Sequence, residues 1–496
     1  MKKLHILLAI FAVVLAVSCE GFLDVKPSNQ ASAETYITSV SDAEIMINGV
    51  MSQMTSSSYY GRNMFMYGDA KGGDFALRSQ GRGLDQLYTF NHSHSSNSYS
   101  GYWTHLYNII AQLNNLLLNI EKLEEEGEGS SALSNYKGQA LTLRALVYFD
   151  LVRMYGKPYN MDKASYGVPL ILEPLDASAQ PTRASVEQVY AQIVADLTAG
   201  APLLSKAKKN GYVNYYANKA IQARVYLYME NWAASLAAAE EIINSGIYTL
   251  YTPENWVNSW TVQFNTESIF ELYIVTGESD LTSGSLSFYL RRHGHGSTSA
   301  MGWYMASDYW IERMNEDPND VRWGVMDYDE SFDQTGVKRY GSCYKYSGST
   351  TFAGDGKGSA TAVNIKVIRL SEMYLIAAEA AIGTGNKAKA ADYLNAIRKR
   401  SPSLAPATAA NVSVDMVLDE RSKELFGEGH RFFDMMRLNK TITFNDDFIY
   451  PFVVITHREK TIDRTFYKTI LPIALGELNA NEAIRSQQNP GYATID

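Results

Sequence analysis

The chain has 496 residues, 46% of them hydrophobic, and a formal net charge of −9. That is long enough for a large core and too acidic to suggest a nucleic-acid partner. Its two cysteines, Cys19 and Cys343, exclude a disulfide framework and four-cysteine zinc sites.

Met1-Lys2-Lys3 is a basic start, and Ile6 to Val17 is an apolar run of twelve residues. Ala16-Val17-Ser18 then places short side chains just before Cys19. A run of that length is too short to span a bilayer, which needs about 20 apolar residues, and it reads as a secretory signal. With cysteine at the cleavage point it resembles a bacterial lipoprotein signal, which implies that Cys19 is acylated and becomes the mature N-terminus. Ala16 departs from the larger aliphatic residue usual there, and an ordinary cleaved signal is the alternative. Loss of Lys2 and Lys3 moves the charge from −9 to −11, and acylation of Cys19 leaves Cys343 without an intramolecular partner.

After a short leader, helical spacing dominates residues 30–250. Trp103, Tyr107, Ile110, Leu113 and Leu117 line one helix, and Tyr136, Ala140, Leu143, Val147, Leu151 and Met154 line the next, closed by Gly156 and Pro158. The acidic stretch Glu121 to Gly129 between them reads as a solvated loop. Ala223 to Ile243 and Ala378 to Arg398 look like relatives, each with an asparagine, Asn231 or Asn386, between two alanine-rich runs. Small residues flanking a tight turn suit tetratricopeptide-like helical hairpins.

Residues 251–365 differ. They hold five of the seven tryptophans and twelve glycines, with a strand-like stretch from Glu267 to Tyr273. This is a loop-rich insertion, and loops on a rigid scaffold commonly carry binding. Helices return over 366–443, and 444–496 is a mixed tail. The predicted fold is mostly α, helix pairs in a single body with short β elements.

Several segments together resemble the SusD/RagB family of outer-membrane nutrient-binding lipoproteins. They are Cys19-Glu20-Gly21-Phe22-Leu23-Asp24 with Lys26-Pro27, the helix Arg369 to Ala380, and Leu394 to Arg400. The most specific are Asp419-Glu420-Arg421 to Glu424-Leu425 and Glu428-Gly429-His430-Arg431-Phe432-Phe433-Asp434 with Arg437. Leu471-Pro472-Ile473 to Asn481 and Gln488-Asn489-Pro490-Gly491-Tyr492 complete the set. The resemblance implies a signal over 1–18 and a SusD/RagB-like body over 19–496. It further implies a lipid-anchored outer-membrane protein, facing outward, that captures an oligosaccharide. It would deliver that cargo to a TonB-dependent barrel transporter of the SusC/RagA kind, with no catalytic activity. An oligopeptide cargo on the same architecture is one alternative, and a structural or adhesive surface protein is another.

His430, Arg431 and Asp434 superficially suggest acid–base chemistry. The spacing of Glu420 to Lys423 or Glu424, and of Glu428 to Arg431, instead fits ion pairs along helices and caps. His293-Gly294-His295, and His92 with His94, set two imidazoles at i, i+2, where a metal could sit, but no cysteine or carboxylate completes a set, and exposed polar loop is the default. Nothing in the sequence calls for a cofactor. Trp103 and Trp232 lie on helical stripes and suit a core, and Trp256 and Trp260 suit packing. Trp303, Tyr304, Tyr309, Trp310, Trp323 and Tyr328 lie among glycines and polar residues, where ring faces could stack on sugar C–H surfaces while Asn, Asp and Arg bind hydroxyls. The same rings also suit a core. The segment Tyr59 to Tyr99 carries Arg62, Tyr67, Asp69, Asp74, Arg78 and Asn97-Ser98-Tyr99, and the resemblance places ligand residues in this loop. The candidate site is therefore Trp303, Tyr304 and Trp323 with Tyr99, Asn97, Arg78 and Asp74.

Overall fold

The computed structural model describes residues 37–78, 85–96, 99–176, 178–290, 302–328, 340–346, 354–449 and 454–495. Cys19 and the signal, Asn97, and the His293/His295 pair lie outside them. The fold is mostly α, as expected, and its strands form two-stranded antiparallel ribbons.

The long helices follow the apolar spacing. Ser100–Glu125 buries Trp103, Ile110 and Leu113, and Ser131–Tyr155 buries residues around most of its circumference, including Leu143, Val147 and Leu151. Ser130 caps the second helix by accepting from the Leu133 amide, and Gly156 ends it in an extended conformation. Where a solvated loop was expected at Glu121, the first helix runs on to Glu125. Its last turn is exposed on one side, Lys137 reaches Glu124 at 2.8 Å, and the chain turns only at Gly127, φ +86°.

The two related segments form helical hairpins, Tyr215–Tyr228 with Trp232–Ile243 and Leu370–Gly383 with Lys387–Arg398. Asn231 and Asn386 cap the second helix of each, accepting from the amide three residues on at 3.4 and 3.2 Å. The Leu370–Gly383 helix packs against both its own partner and Trp232–Ile243, so the hairpins stack side by side. Gly383 permits this, because a Cβ there would overlap the Trp232 ring.

Beneath the hairpins lies a buried lattice of charge. Arg322 donates to Asp320 and Glu420, each at 2.6 Å, and Arg369 pairs with Glu424 at 3.0 Å and Glu428 at 2.7 Å. Lys345 also meets Glu428, and Arg400 meets Glu424 and Glu267. These partners correct the expectation of short-range pairs along one helix. Glu420 and Glu428 reach across the chain, and Arg431 turns to Asp74 at 3.2 Å. A carboxylate this deep needs cations on several sides, which neighbours on one helix cannot supply. His430 is equally buried, and burial with the nearby arginines holds its pKa well below the usual value, so it stays neutral.

The strand-like stretch pairs as Ser268–Leu272 with Ile365–Arg369, buried on both faces rather than alternating. Trp256 and Trp260 pack edge to face at 6.0 Å inside this region. The tail closes on the end of the long helix. Leu471 donates to the Met154 carbonyl at 2.7 Å, and the Asn489 amide group donates to Tyr155 and Leu471. Gln488 accepts from the Ile473 amide and donates to its carbonyl. The terminal motif thus supplies hydrogen bonds to backbone that has left regular structure.

Candidate functional site: a loop junction at the end of a ribbon

Strand Phe75–Leu77 pairs antiparallel with Tyr304–Ala306, placing Leu77 opposite Tyr304. One residue beyond, the Arg78 amide donates to the Trp303 carbonyl at 2.8 Å. The ribbon therefore joins the two loop regions that the sequence nominated separately. Around its end stand three helix starts or short helices. Arg62 precedes the helix Asn63–Ala70, Tyr99 precedes Ser100–Glu125, and Tyr289 lies on Leu286–Leu290.

Their side chains interlock. The Arg62 guanidinium lies 5.2 Å from the Tyr289 ring centre and reaches its hydroxyl at 3.4 Å, while its Nε donates to Asn63 Oδ1 at 3.0 Å. The Asn63 carbonyl accepts from the Tyr99 hydroxyl at 2.6 Å, and the Tyr289 ring meets Trp303 at 5.3 Å. Burial pushes the Tyr99 phenol well above its ordinary pKa, with the Arg62 cation acting in the opposite sense. Tyr99 and Tyr304 are therefore neutral hydroxyls, since burial raises Tyr304 as well. Arg62 and Arg78 are half-buried, so each keeps part of its side chain toward solvent.

The seven sequence candidates do not share one fate. Arg78, Trp303, Tyr304 and Tyr99 come together at this junction, and Asn97 lies outside the described residues. Tyr304, Tyr99, Trp303 and Tyr289 are 1%, 2%, 5% and 8% exposed, so all four are walls that present edges rather than open faces. Asp74 is a correction. It is buried, with its carboxylate engaged by Arg313 at 3.1 Å, Arg431 at 3.2 Å and the Ser422 hydroxyl. It ties the ribbon to the C-terminal helices, and it was nominated because a loop aspartate and a buried anchor look alike in sequence. Trp323 stands elsewhere, edge-on to Trp310 at 5.7 Å; Trp310 stacks on Phe426, and Phe426 stacks on Phe75, both at 4.2 Å. Three rings thus separate Trp323 from Tyr304, which meets Phe75 at 6.2 Å. Tyr289 was not nominated: nothing in its local sequence marks it, and Arg62 was noted only as part of its loop. The pairing of the two could be seen only once the chain was folded.

His92 also departs from expectation. It is buried against Tyr492 at 6.1 Å rather than lying in an exposed loop. Among the described residues no group of three or more His, Cys, Asp or Glu could hold a metal ion. No described helix is long and apolar enough to cross a membrane. Cys343 is buried, and burial pushes its thiol up to about 11.

Residues 266–492 match the SusD family model, and residues 21–227 match one described as starch-binding and associating with the outer membrane. SusD-like protein P25 of Formosa agariphila is 23% identical over 99% of this chain and 100% of its own. A laminarin-binding SusD-like protein superposes with a TM-score of 0.71 at 24% identity, covering 91% of this chain and 99% of that one, a likeness of fold. A SusD superfamily protein from Bacteroides vulgatus is 33% identical with a TM-score of 0.80, over 92% of this chain and all of the other. A further one, from Bacteroides thetaiotaomicron, is 31% identical with a TM-score of 0.84 and is covered along 100% of its length by 91% of this chain. On that likeness, carried through both sequence and fold, the chain belongs to the SusD family.

Proposed function

We propose that this protein captures a glycan at the outer surface of the outer membrane, held there by a lipid on Cys19, and passes it to a TonB-dependent barrel transporter. The capture site is the loop junction. The observation that carries this reading is the Arg78–Trp303 backbone bond of 2.8 Å, which fixes two loops of contrasting chemistry side by side. Arg62 and Arg78 supply donors for hydroxyls, Trp303 and Tyr289 form the ring wall, and Asn97 is the remaining candidate donor. Binding at such a site needs orientation and desolvation and no reacting group, so the protein acts as a binder and not as an enzyme. The family description as starch-binding and the laminarin-binding relative favour glycan over peptide.

Calorimetric titration of the protein with maltoheptaose, laminarin fragments and a pool of oligopeptides tests this. Saturable heat with a glycan, reduced in Trp303→Ala, is expected. Heat with peptides alone would replace the cargo, and glycan binding indifferent to Trp303 and Arg78 would move the site.

A further inference from the structure

Away from the loop junction, a cavity of about 540 Å³ opens between the Val40–Met54 helix, the turn at 210–212 and the chain from Phe264 to Ser279. It shares no lining residue with the loop junction. Its volume lies within the range of about 300–1,000 Å³ usual for small-ligand sites.

Its lining has two kinds of surface. Tyr212, Phe264 and Tyr273 provide rings; Phe264 and Tyr273 lie 5.9 Å apart at 36°, and Tyr273 is 48% exposed at the end of its strand. Opposite them the exposed Asn48 and Ser52 come from the helix, Asn210 from the turn, and Glu278 from the loop beyond the strand. Amides, a hydroxyl and a carboxylate beside open rings match the alternating C–H faces and hydroxyl edges of a sugar chain.

The rings are held, not merely present. Phe264 has φ +48°, a left-handed conformation that costs a bulky residue energy unless its surroundings impose it. Its amide donates to the buried Glu271 at 2.9 Å, and its carbonyl accepts from Lys208 at 3.0 Å. The Tyr212 hydroxyl donates to Glu44 at 3.0 Å, and Lys209, itself paired to Glu44, covers one ring face 3.7 Å from the centre. The cations around the cavity are thus occupied. Lys208 serves backbone carbonyls, Lys209 serves Glu44, and Lys357, whose ammonium lies 5.3 Å from the Tyr273 ring centre, serves Asp355 and Asn364. Among the described residues no lysine or arginine lines the cavity and one carboxylate, Glu278, does, which disfavours sulfated or uronic-acid sugars.

From these observations we infer that this cavity is a second saccharide site, taking a neutral segment of a glycan chain across Tyr273 and Phe264. Two sites on one protein would hold a long chain by multivalency, each tolerating weak binding at the other.

Affinity electrophoresis of the full-length protein in detergent, through gels holding starch, laminarin, mannan or a sulfated polysaccharide, tests this with wild type, Tyr273→Ala, Asn48→Ala/Asn210→Ala and Trp303→Ala. The altered groove residues are exposed, and unchanged melting temperatures verify their folding. At least one neutral polysaccharide should retard the wild type, with retardation weakened about three- to tenfold by either groove variant and none by the sulfated gel. Equal retardation of wild type and both groove variants would overturn the second site while leaving the loop junction standing. Retardation lost in the groove variants and untouched by Trp303→Ala would support the groove and remove the loop site. Preference for the sulfated gel, Tyr273-dependent capture of peptides alone, or no retardation in any neutral gel would overturn the saccharide assignment.

Discussion

Glu230 and Gly385 occupy the same place in the two helical hairpins, each one residue before the capping asparagine and each left-handed, at φ +58° and +79°. The turn imposes this conformation in both, and only one hairpin has the residue suited to it. A Cβ at Gly385 would meet nothing within 4 Å, so Gly385→Ala carries a conformational cost alone, about 1 kcal/mol. Glu230→Gly should stabilise by about 0.5–1 kcal/mol, since the Asn160–Glu230 hydrogen bond it removes is solvent-exposed. Urea unfolding midpoints moving in opposite directions would bear this out; a destabilised Glu230→Gly would show that the carboxylate matters more than the turn.

Arg322 is 1% exposed and serves Asp320, Glu420 and Ser401 together. Arg322→Met keeps most of the volume but strands two carboxylates in the interior. It should cost about 3–5 kcal/mol, read as a shifted denaturant midpoint with an unchanged slope. A loss under about 1 kcal/mol would mean that water enters to solvate Asp320 and Glu420.

Asp434 gives the interior a pH signature. Burial by itself would raise its pKa, but Arg421 and Arg437 outweigh burial and hold the carboxyl well below the usual range. Its folded pKa is thus lower than its unfolded one, near 3.9. The stability it contributes is complete above the unfolded value and is lost as pH falls toward the folded one. Wild type should lose stability more steeply than Asp434→Asn between about pH 5 and pH 3. Parallel pH profiles of the two proteins would remove Asp434 from the acid response.

Helices, hairpins and the packing tryptophans were legible in the sequence because each rests on local spacing: Leu143 and Val147 repeat at helical intervals, and Asn231 and Asn386 sit at matched turns. The ion lattice was misread for the same reason. Glu428 and Arg431 stand three apart, yet Glu428 turns to Lys345 and Arg369, a choice made by tertiary burial that no window of sequence contains. At the junction, Arg78 and Trp303 were named separately, but their adjacency depends on the register of a three-residue ribbon. Tyr273 was read as the end of a strand, and its open ring belongs to a cavity assembled from three distant segments.

The separation of Trp303 from Trp323 gives the sharpest test of the binding reading. Both are tryptophans in glycine-bearing loops, and sequence alone treats them as one platform. In the fold, Trp303 meets Tyr289 beside Arg62, whereas Trp323 abuts Trp310 at the far end of a run of stacked rings. Trp303→Ala should weaken glycan binding about three- to tenfold, the worth of an aromatic contact, and because Trp303 is buried it should also lose about 3–5 kcal/mol of stability. Trp323→Ala should leave affinity unchanged and lower stability by about 1–3 kcal/mol through poorer packing, because it is only partly buried. Calorimetry with denaturant unfolding on both variants separates the two effects. If Trp323→Ala lost affinity while Trp303→Ala kept it, the ligand would lie by the Trp310 face and not at the ribbon's end. Weaker binding in both, with folding intact, would require a glycan long enough to span the two.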